Sequence, residues 1–322
     1  MTRAAALAEL EADAAFVHES LLPTPQIAWP LLARRAGCEV WLKHENHLPI
    51  GSFKLRGGLT YVRELRAREP GVRGVVAATR AHHGQSVPFA ARRFGIDATV
   101  VVPRGNSVEK NAAMRALGAR LVEHGQDFQE ALERAEAIAK SDGLHFVPSF
   151  HEWLVRGTST CAFELLRAVP DLDSLYVPIG LGSGICGALR ARDALGARTR
   201  VVGVVAERAP AYALSFDARR PVATDSADTF ADGIAVRVPN PDALSAILAG
   251  VERIVRVSEA EIRAAMRAIF SDTHNVAEGA GAAALAACLR ERGEVAGRRV
   301  GLVLSGGNVD RELYARVLAE KE

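Results

Sequence analysis

Lys54, in the segment GSFKLRGG, has the surroundings best suited to covalent chemistry in this chain. It follows the strand-like run EVWLKHE and opens the amphipathic stretch FKLRGGLTYVRELRAR. Ser52 can cap that helix by accepting a backbone N–H, which puts Lys54 in the first turn, where the helix dipole presents partial positive charge and disfavours an ammonium. A lysine poised toward its neutral form attacks carbonyls and forms Schiff bases. On this segment alone, the competing reading is a surface lysine whose stem lies along a helix start.

Two further segments change that balance. In SLYVPIGLGSGICGALRARDAL an apolar strand runs into Gly180, Leu181, Gly182, Ser183 and Gly184, and a helical pattern follows. Glycines let the backbone turn tightly and approach a ligand, and the N–H groups of a helix start converge on an anion, so this is the shape of a phosphate cradle. Pyridoxal phosphate and nucleotides both carry such a handle; a tight turn that binds nothing is the plainer alternative. In RRVGLVLSGGNVD a second strand delivers Ser305 to its carboxyl end, where ligands collect in open α/β sheets and where a hydroxyl can bond a heteroaromatic nitrogen.

Together these segments resemble those of the pyridoxal-phosphate enzymes of fold type II, the tryptophan synthase β-like fold, in the threonine dehydratase, serine dehydratase and serine racemase branch. GSFKLRGG resembles the family's Schiff-base lysine segment, ATRAHHGQS its substrate loop, GLGSG its glycine phosphate loop and LSGGNVD its ring-nitrogen segment; TFADGIAV and VAEGAGA are also similar. The likeness spans residues 23 to 310.

The resemblance implies pyridoxal phosphate as cofactor, bound to Lys54, which also acts as the base toward the substrate's α-proton. It implies Gly180 to Gly184 around the phosphate, Ser305 as a neutral partner of the pyridine nitrogen, Phe53 against the ring and Glu278 near the ring edge. Thr79, Arg80, Ala81, His82 and His83 would form the loop that receives the substrate carboxylate, with His82 near the cofactor. A hydroxyl opposite the ring nitrogen stabilises a protonated pyridinium only weakly, which favours prompt loss of a β-substituent. The implied reaction is elimination of ammonia from a β-hydroxy-α-amino acid by a homodimer or larger assembly.

Departures from the pattern are informative. Ala81 and His82 stand where the family has Gly and Asn, so a titratable ring replaces an amide beside the cofactor. Arg80 stands where the racemases have a proton-delivering serine, which disfavours racemisation. Glu207 occupies the first place of the family's divalent-cation site but Ala213 the second, so no tight metal site is expected. The changed loop is what a specialised relative such as a phenylserine dehydratase would show. The chain ends one helix after LSGGNVD, which leaves no expected regulatory domain.

Two other classes compete. Gly182, Gly184 and Gly187 spell GxGxxG between a strand and a helix, and Glu207 lies roughly 20 positions on, the arrangement of a dinucleotide fingerprint in a dehydrogenase. That reading leaves GSFKLRGG and LSGGNVD unexplained. A non-catalytic binding protein keeping the pyridoxal fold is the third reading; its support is the altered AHHG loop, and the intact Lys54 counts against it. A racemase of the same fold is a further alternative, disfavoured by Arg80.

Positioning these groups requires strands that alternate with helices: VRGVVAA, HHGQSVPFAARRF, DATVVV, SVEKNAAMRAL and ARLVEH read as a small parallel α/β unit. The expected organisation is a large cofactor-binding domain over 1–68 and 148–322 and an inserted domain over 69–147, in two open, mostly parallel sheets with the cofactor in the cleft. Pro88 falls one turn into a predicted helix, tolerated if it lies near the first helical position. Residues 220 to 240 read as a loop. The 322 residues are 49% hydrophobic, enough for a large core, and 40 basic against 38 acidic residues give no basic face for nucleic acid. Cys38, Cys161, Cys186 and Cys288 lack metal-ligand spacing, and His44 and His47 lack the spacing of a zinc helix. No run approaches a membrane span, so a cytoplasmic protein acting on a small molecule is expected.

Overall fold

The computed structural model describes residues 2–320. Among these, residues up to 53 and from 159 onward form one compact unit, and residues 54–158 a second. The insert expected over 69–147 lies inside the second unit, which also takes in the whole helix Lys54–Arg68.

In chain order the strands are β1 Gln26–Ala28, β2 Glu39–His44, β3 Gly74–Ala78, β4 Asp97–Val102, β5 Arg120–Glu123, β6 His145–Phe146, β7 Ser174–Pro178, β8 Arg200–Ala206, β9 Arg253–Val257 and β10 Arg299–Leu304. The first unit holds a six-stranded sheet in the order β1-β2-β10-β7-β8-β9. Only the three-residue β1 runs antiparallel, pairing Gln26 with Lys43 and Ala28 with Trp41. The other strands are parallel, and β7 is buried along its whole length. Parallel sheets are covered on both faces by their crossover helices, which is why SLYVP and VGLVL read as continuous apolar runs rather than alternating ones.

The helix Gly279–Arg290, GAGAAALAACLR, is buried from Gly279 through Cys288. Small side chains let it come close to its neighbours: a Cβ built on Gly281 would stand 2.2 Å from the Gly306 carbonyl oxygen. That close approach brings the start of this helix to the end of β10. The core it shares includes Val40, Leu42, Tyr176, Val202, Leu302 and Leu304. Lys43 on β2 is fully buried and donates to Glu164 Oε2 at 2.5 Å, to the Thr24 carbonyl at 2.7 Å and to Gln26 Oε1 at 3.1 Å. Burial of an ammonium requires such a counter-ion with full hydrogen bonding.

The second unit is a four-stranded parallel sheet in the order β5-β4-β3-β6, with Val76, Ala78, Val101, Ala131, Ala135 and Ile138 in one core cluster. Asp127 caps the helix Phe128–Asp142 by accepting from Glu130 N–H, and Gly143 ends it in the left-handed region. One local expectation is corrected. The helix holding Pro88 begins at His83, so the proline is its sixth residue and sits in the helix interior rather than near the first position. A proline there has no N–H for the carbonyl four residues back, which belongs to Gly84.

Candidate active site

Each unit brings together its own share of the sequence-predicted residues. In the first, β10 ends at Leu304 and leaves Ser305 as the next residue, 6% exposed, at the carboxyl edge of the sheet. The Ser305 carbonyl accepts the Phe53 N–H at 3.2 Å, and Ser52 forms an isolated antiparallel bridge with Gly306. The lysine segment is therefore pinned by its backbone to the SGG segment. Glu278, which precedes the helix Gly279–Arg290, donates its N–H to the Gly306 carbonyl at 3.2 Å. A Cβ on Gly306 would lie 2.6 Å from Glu278 Oε1, so a glycine is needed for the buried carboxylate to reach this place.

The glycine loop follows β7. Gly182 has φ 110°, the left-handed region that glycine tolerates, and caps the helix Ser183–Leu195, whose first turn carries no acidic residue. The N–H groups of that turn face out of the helix end, as an anion requires. A Cβ on Gly180 would meet the Gly233 carbonyl oxygen at 2.5 Å, and one on Gly184 would meet the Phe53 ring at 3.2 Å. Phe53, Gly180, Leu181, Gly182, Ser183, Gly184, Glu278 and Ser305 thus lie on one contiguous surface of the first unit. Two contributors escaped the sequence reading. Gly233, in the ADG of the 220–240 loop, packs against both Gly180 and Glu278. Tyr212 donates its hydroxyl to the Leu181 carbonyl at 2.9 Å and accepts Asn240 N–H at 3.0 Å, which fixes the loop from behind.

The second unit opens with Lys54 as the first residue of the helix Lys54–Arg68, in its first turn as expected. Although the residue is partly accessible as a whole, its amine lies deep enough that burial draws the pKa down to about 8. Desolvation penalises the ammonium, so burial, which the segment alone does not reveal, lowers the pKa. Ser86 Oγ donates to the Lys54 carbonyl at 2.7 Å, a contact that nothing in the sequence pattern signalled.

β3 delivers Thr79, whose N–H bonds the Val101 carbonyl at 3.0 Å and whose Oγ1 accepts Ala81 N–H at 3.0 Å, shaping the turn into the next helix. Arg80 is exposed on that turn, Ala81 is half-buried, and Thr79, His82 and His83 are buried. Burial and the nearby Lys54 charge hold His83 at about 4, so its imidazole is neutral at physiological pH. One ring nitrogen bonds the Val147 backbone carbonyl, and Nε2 is buried with no hydrogen-bond partner among the described residues, as is Gln85 Nε2. Buried polar atoms left unsatisfied by the protein await a partner of their own.

Glu207, the ribose acid of the dinucleotide reading, is exposed and stands 3.7 Å from Arg290. Among the described residues, no group of three or more His, Cys, Asp or Glu side chains is arranged to hold a metal ion, and no helix is long and apolar enough to cross a membrane.

An amine driven toward neutrality, a glycine cradle at a helix start and a strand-end hydroxyl are the parts that a phosphorylated pyridine aldehyde needs. The family model described as pyridoxal-phosphate dependent enzyme matches residues 17–306, and the chain belongs to that family. Its architecture is that of fold type II, and its relatives lie in the threonine and serine dehydratase-like branch. The chain is 36% identical over 303 residues to L-threonine ammonia-lyase of Thermotoga maritima, covering 94% of this chain and 74% of that protein. It superposes with TM-score 0.90 and 28% identity on the processed form of threonine deaminase isoform 2 from Solanum lycopersicum, covering 98% of this chain and 94% of the other. It superposes equally well, with TM-score 0.90 and 30% identity, on a pyridoxal 5'-phosphate-dependent aspartate racemase, covering 95% and 96%. The chain spans 58% of the length of the biosynthetic L-threonine dehydratase of Haemophilus influenzae. The family match takes in the Gly182–Gly187 segment, so the dehydrogenase reading is set aside.

Proposed function

We propose that this enzyme is an ammonia-lyase that converts a β-hydroxy-α-amino acid into a 2-oxo acid and ammonia. The observation that carries the reading is Lys54: a buried amine drawn to about 8, at a helix start whose preceding residues are tied by their backbone to Ser305 and Gly306. Pyridoxal phosphate, when bound, supplies an electron sink for the pair released from the substrate's Cα–H bond.

The chain's own residues divide the remaining work. Lys54 would hold the cofactor and take the α-proton on Nζ, its lowered pKa making it a base near neutral pH. The amides of Gly180 to Gly184 would bind the phosphate, with Tyr212 holding the loop in place. Ser305 would face the ring nitrogen as a hydroxyl, Phe53 and Glu278 would flank the ring, and His82 would stand beside it. Thr79, Arg80, Ala81 and His83 would receive the substrate, the neutral His83 presenting Nε2 as an acceptor. A neutral partner at the ring nitrogen suits departure of a β-hydroxyl more than a long-lived carbanion. Loss of that hydroxyl with a proton leaves an enamine, which tautomerises and takes up water to give the 2-oxo acid and ammonia.

For the particular substrate we favour an aryl-serine such as phenylserine over serine or threonine, because Ala81 and His82 depart from the simple pattern beside the substrate loop. We also infer a homodimer or larger assembly working in the cytoplasm. The racemase reading draws on the aspartate racemase likeness, but Arg80 offers no neutral proton donor for the opposite face. The test is release of pyruvate, 2-oxobutyrate and phenylpyruvate from serine, threonine and phenylserine by the purified holoenzyme. Phenylpyruvate should form fastest, and Lys54→Ala should abolish both turnover and visible absorbance. Oxo-acid formation by that variant would refute the assignment of Lys54, and racemised but undegraded substrate would refute the lyase reading.

A further inference from the structure

Three chain segments meet at the carboxyl edge of the six-stranded sheet, and each leads to a group assigned above. Residues 45–53 run to Phe53 and Lys54, residues 275–278 to Glu278, and residues 305–308 begin with Ser305. The strand pairing of β2 with β10 extends to His44 and Leu304. Beyond that pair the first and third segments are joined by the isolated bridge between Ser52 and Gly306, and by the Gly307 N–H donating to the Gly51 carbonyl at 3.0 Å. Side-chain amides add further ties.

Asn275 gathers one side. Its Oδ1 accepts from His47 Nε2 at 2.7 Å and from Asn46 Nδ2 at 3.4 Å, while its own Nδ2 donates to the Thr273 carbonyl at 3.0 Å. Asn308 holds the other. Its Nδ2 donates to the Ile50 carbonyl at 2.6 Å, a bond between residues 258 positions apart in the chain. Only the nitrogen end of an amide can donate to a carbonyl, so this contact fixes which way the side chain is turned. The amide also crosses Gly51. A Cβ there would stand 3.2 Å from both Nδ2 and Oδ1 of Asn308, and Gly51 has φ 62°, in the left-handed region that glycine tolerates. The Gly51 N–H turns back to the Leu48 carbonyl at 2.6 Å. Ile50 and Gly51 stand four and three residues before Lys54, so this grip lies on the chain's approach to the lysine.

We propose that Asn308 is a positioning residue for the cofactor-bearing lysine. Its amide sets the path by which residues 50–53 lead to Lys54, and with it the seat of the cofactor ring against Phe53 and Ser305. The proposal rests on the reading of Lys54 as the residue that holds pyridoxal phosphate. Without the donor, the Ile50 peptide can turn to water, and Gly51, lacking a side chain, offers little resistance to that turn. The competing role for Asn308 is filler for the space over Gly51. The two roles differ in what Asn308→Asp does: it keeps the shape but turns a carboxylate oxygen toward the Ile50 carbonyl oxygen, an acceptor facing an acceptor.

The test compares parent, Asn308→Ala and Asn308→Asp, freed of unbound cofactor, at neutral pH. Two quantities are measured: affinity for pyridoxal phosphate, and the visible circular dichroism of the bound cofactor divided by its visible absorbance. That quotient reports the asymmetry of the cofactor's seat in loaded molecules, so loss of folded protein alone does not move it. Asn308→Ala should bind pyridoxal phosphate about three- to tenfold more weakly, the loss expected of one hydrogen bond. Asn308→Asp should bind it more weakly still, and the quotient should shift in both variants. A parent-like quotient and affinity in Asn308→Asp, or a quotient unchanged in both variants, would overturn the proposal and leave Asn308 as filler. A parent without a visible band would refute the reading of Lys54 and this proposal with it, so the two failures are told apart.

Discussion

Burial of the Lys54 amine makes a quantitative prediction about how fast the cofactor-stripped protein captures pyridoxal phosphate as pH is varied. The reacting form is the neutral amine. With a pKa of about 8, against 10.5 for an ordinary lysine, about half of the protein carries it at pH 8, compared with ~0.3% for a free lysine side chain. Capture at pH 8 therefore gains on the order of a hundredfold from the amine alone. The assay is stopped-flow growth of visible absorbance after mixing, with Nα-acetyl-lysine under identical conditions as the reference, so that ionisation of the aldehyde cancels. The ratio of the two rates should be flat below about pH 8 and fall roughly tenfold per unit above it, because the protein amine has saturated while the reference still gains. A ratio that stays constant to about pH 10 would show an ordinary lysine and remove the physical basis of the site. A second readout has a definite sign. The folded-state pKa lies below the unfolded one, so folding disfavours the ammonium. That cost is fully present below about pH 8 and fades as pH rises toward 10.5, so this group makes the stripped protein more stable with pH through that window.

Two further predictions concern the frame around the site. A Cβ on Gly58 would meet Ser86 Oγ at 2.1 Å and the Ser86 carbonyl oxygen at 2.9 Å, so Gly58→Ala should cost about 1–3 kcal/mol in urea denaturation and weaken the tie from Ser86 to the Lys54 carbonyl. Adding Ser86→Ala should recover part of that loss, and strict additivity of the two changes would contradict the contact. Glu164→Gln should cost about 3–5 kcal/mol, because it leaves the fully buried Lys43 ammonium without a counter-ion. The pair Lys43→Met with Glu164→Leu should lie much closer to the parent, and equal loss in both variants would mean that packing, not charge, sets the stability here.

The residues legible in the sequence share one property: their chemistry is tied to a local break in pattern. Lys54, Gly182 and Ser305 each sit where an apolar run gives way to glycine and a helix, and such junctions are set by the residues on either side. The parallel sheets were legible for the same reason, since strands covered on both faces read as unbroken apolar runs. What sequence did not reveal depends on contacts far apart in the chain. Tyr212 is an ordinary helical aromatic until the fold brings its hydroxyl to the Leu181 carbonyl, and Ser86 an ordinary small helical residue until it meets Lys54. Gly233 differs again, for its φ lies outside the left-handed region that would mark a glycine by conformation alone. Its need is steric: Gly180, Glu278 and Gly233 crowd one another, and only the fold shows that crowding. For Lys54 the segment showed only the helix start and not the burial. A helix dipole acts weakly and only over the first turn, whereas desolvation acts on any amine that packing buries, and packing is a property of the whole unit rather than of the segment. The same logic separates the two histidines of the substrate loop from the lysine: the types at 82 and 83 announce a titratable pair, but whether they carry charge is decided by what surrounds them. For His83 the surroundings hold the ring neutral near physiological pH, so it enters the site as a hydrogen-bonding group rather than as a second cation beside Lys54.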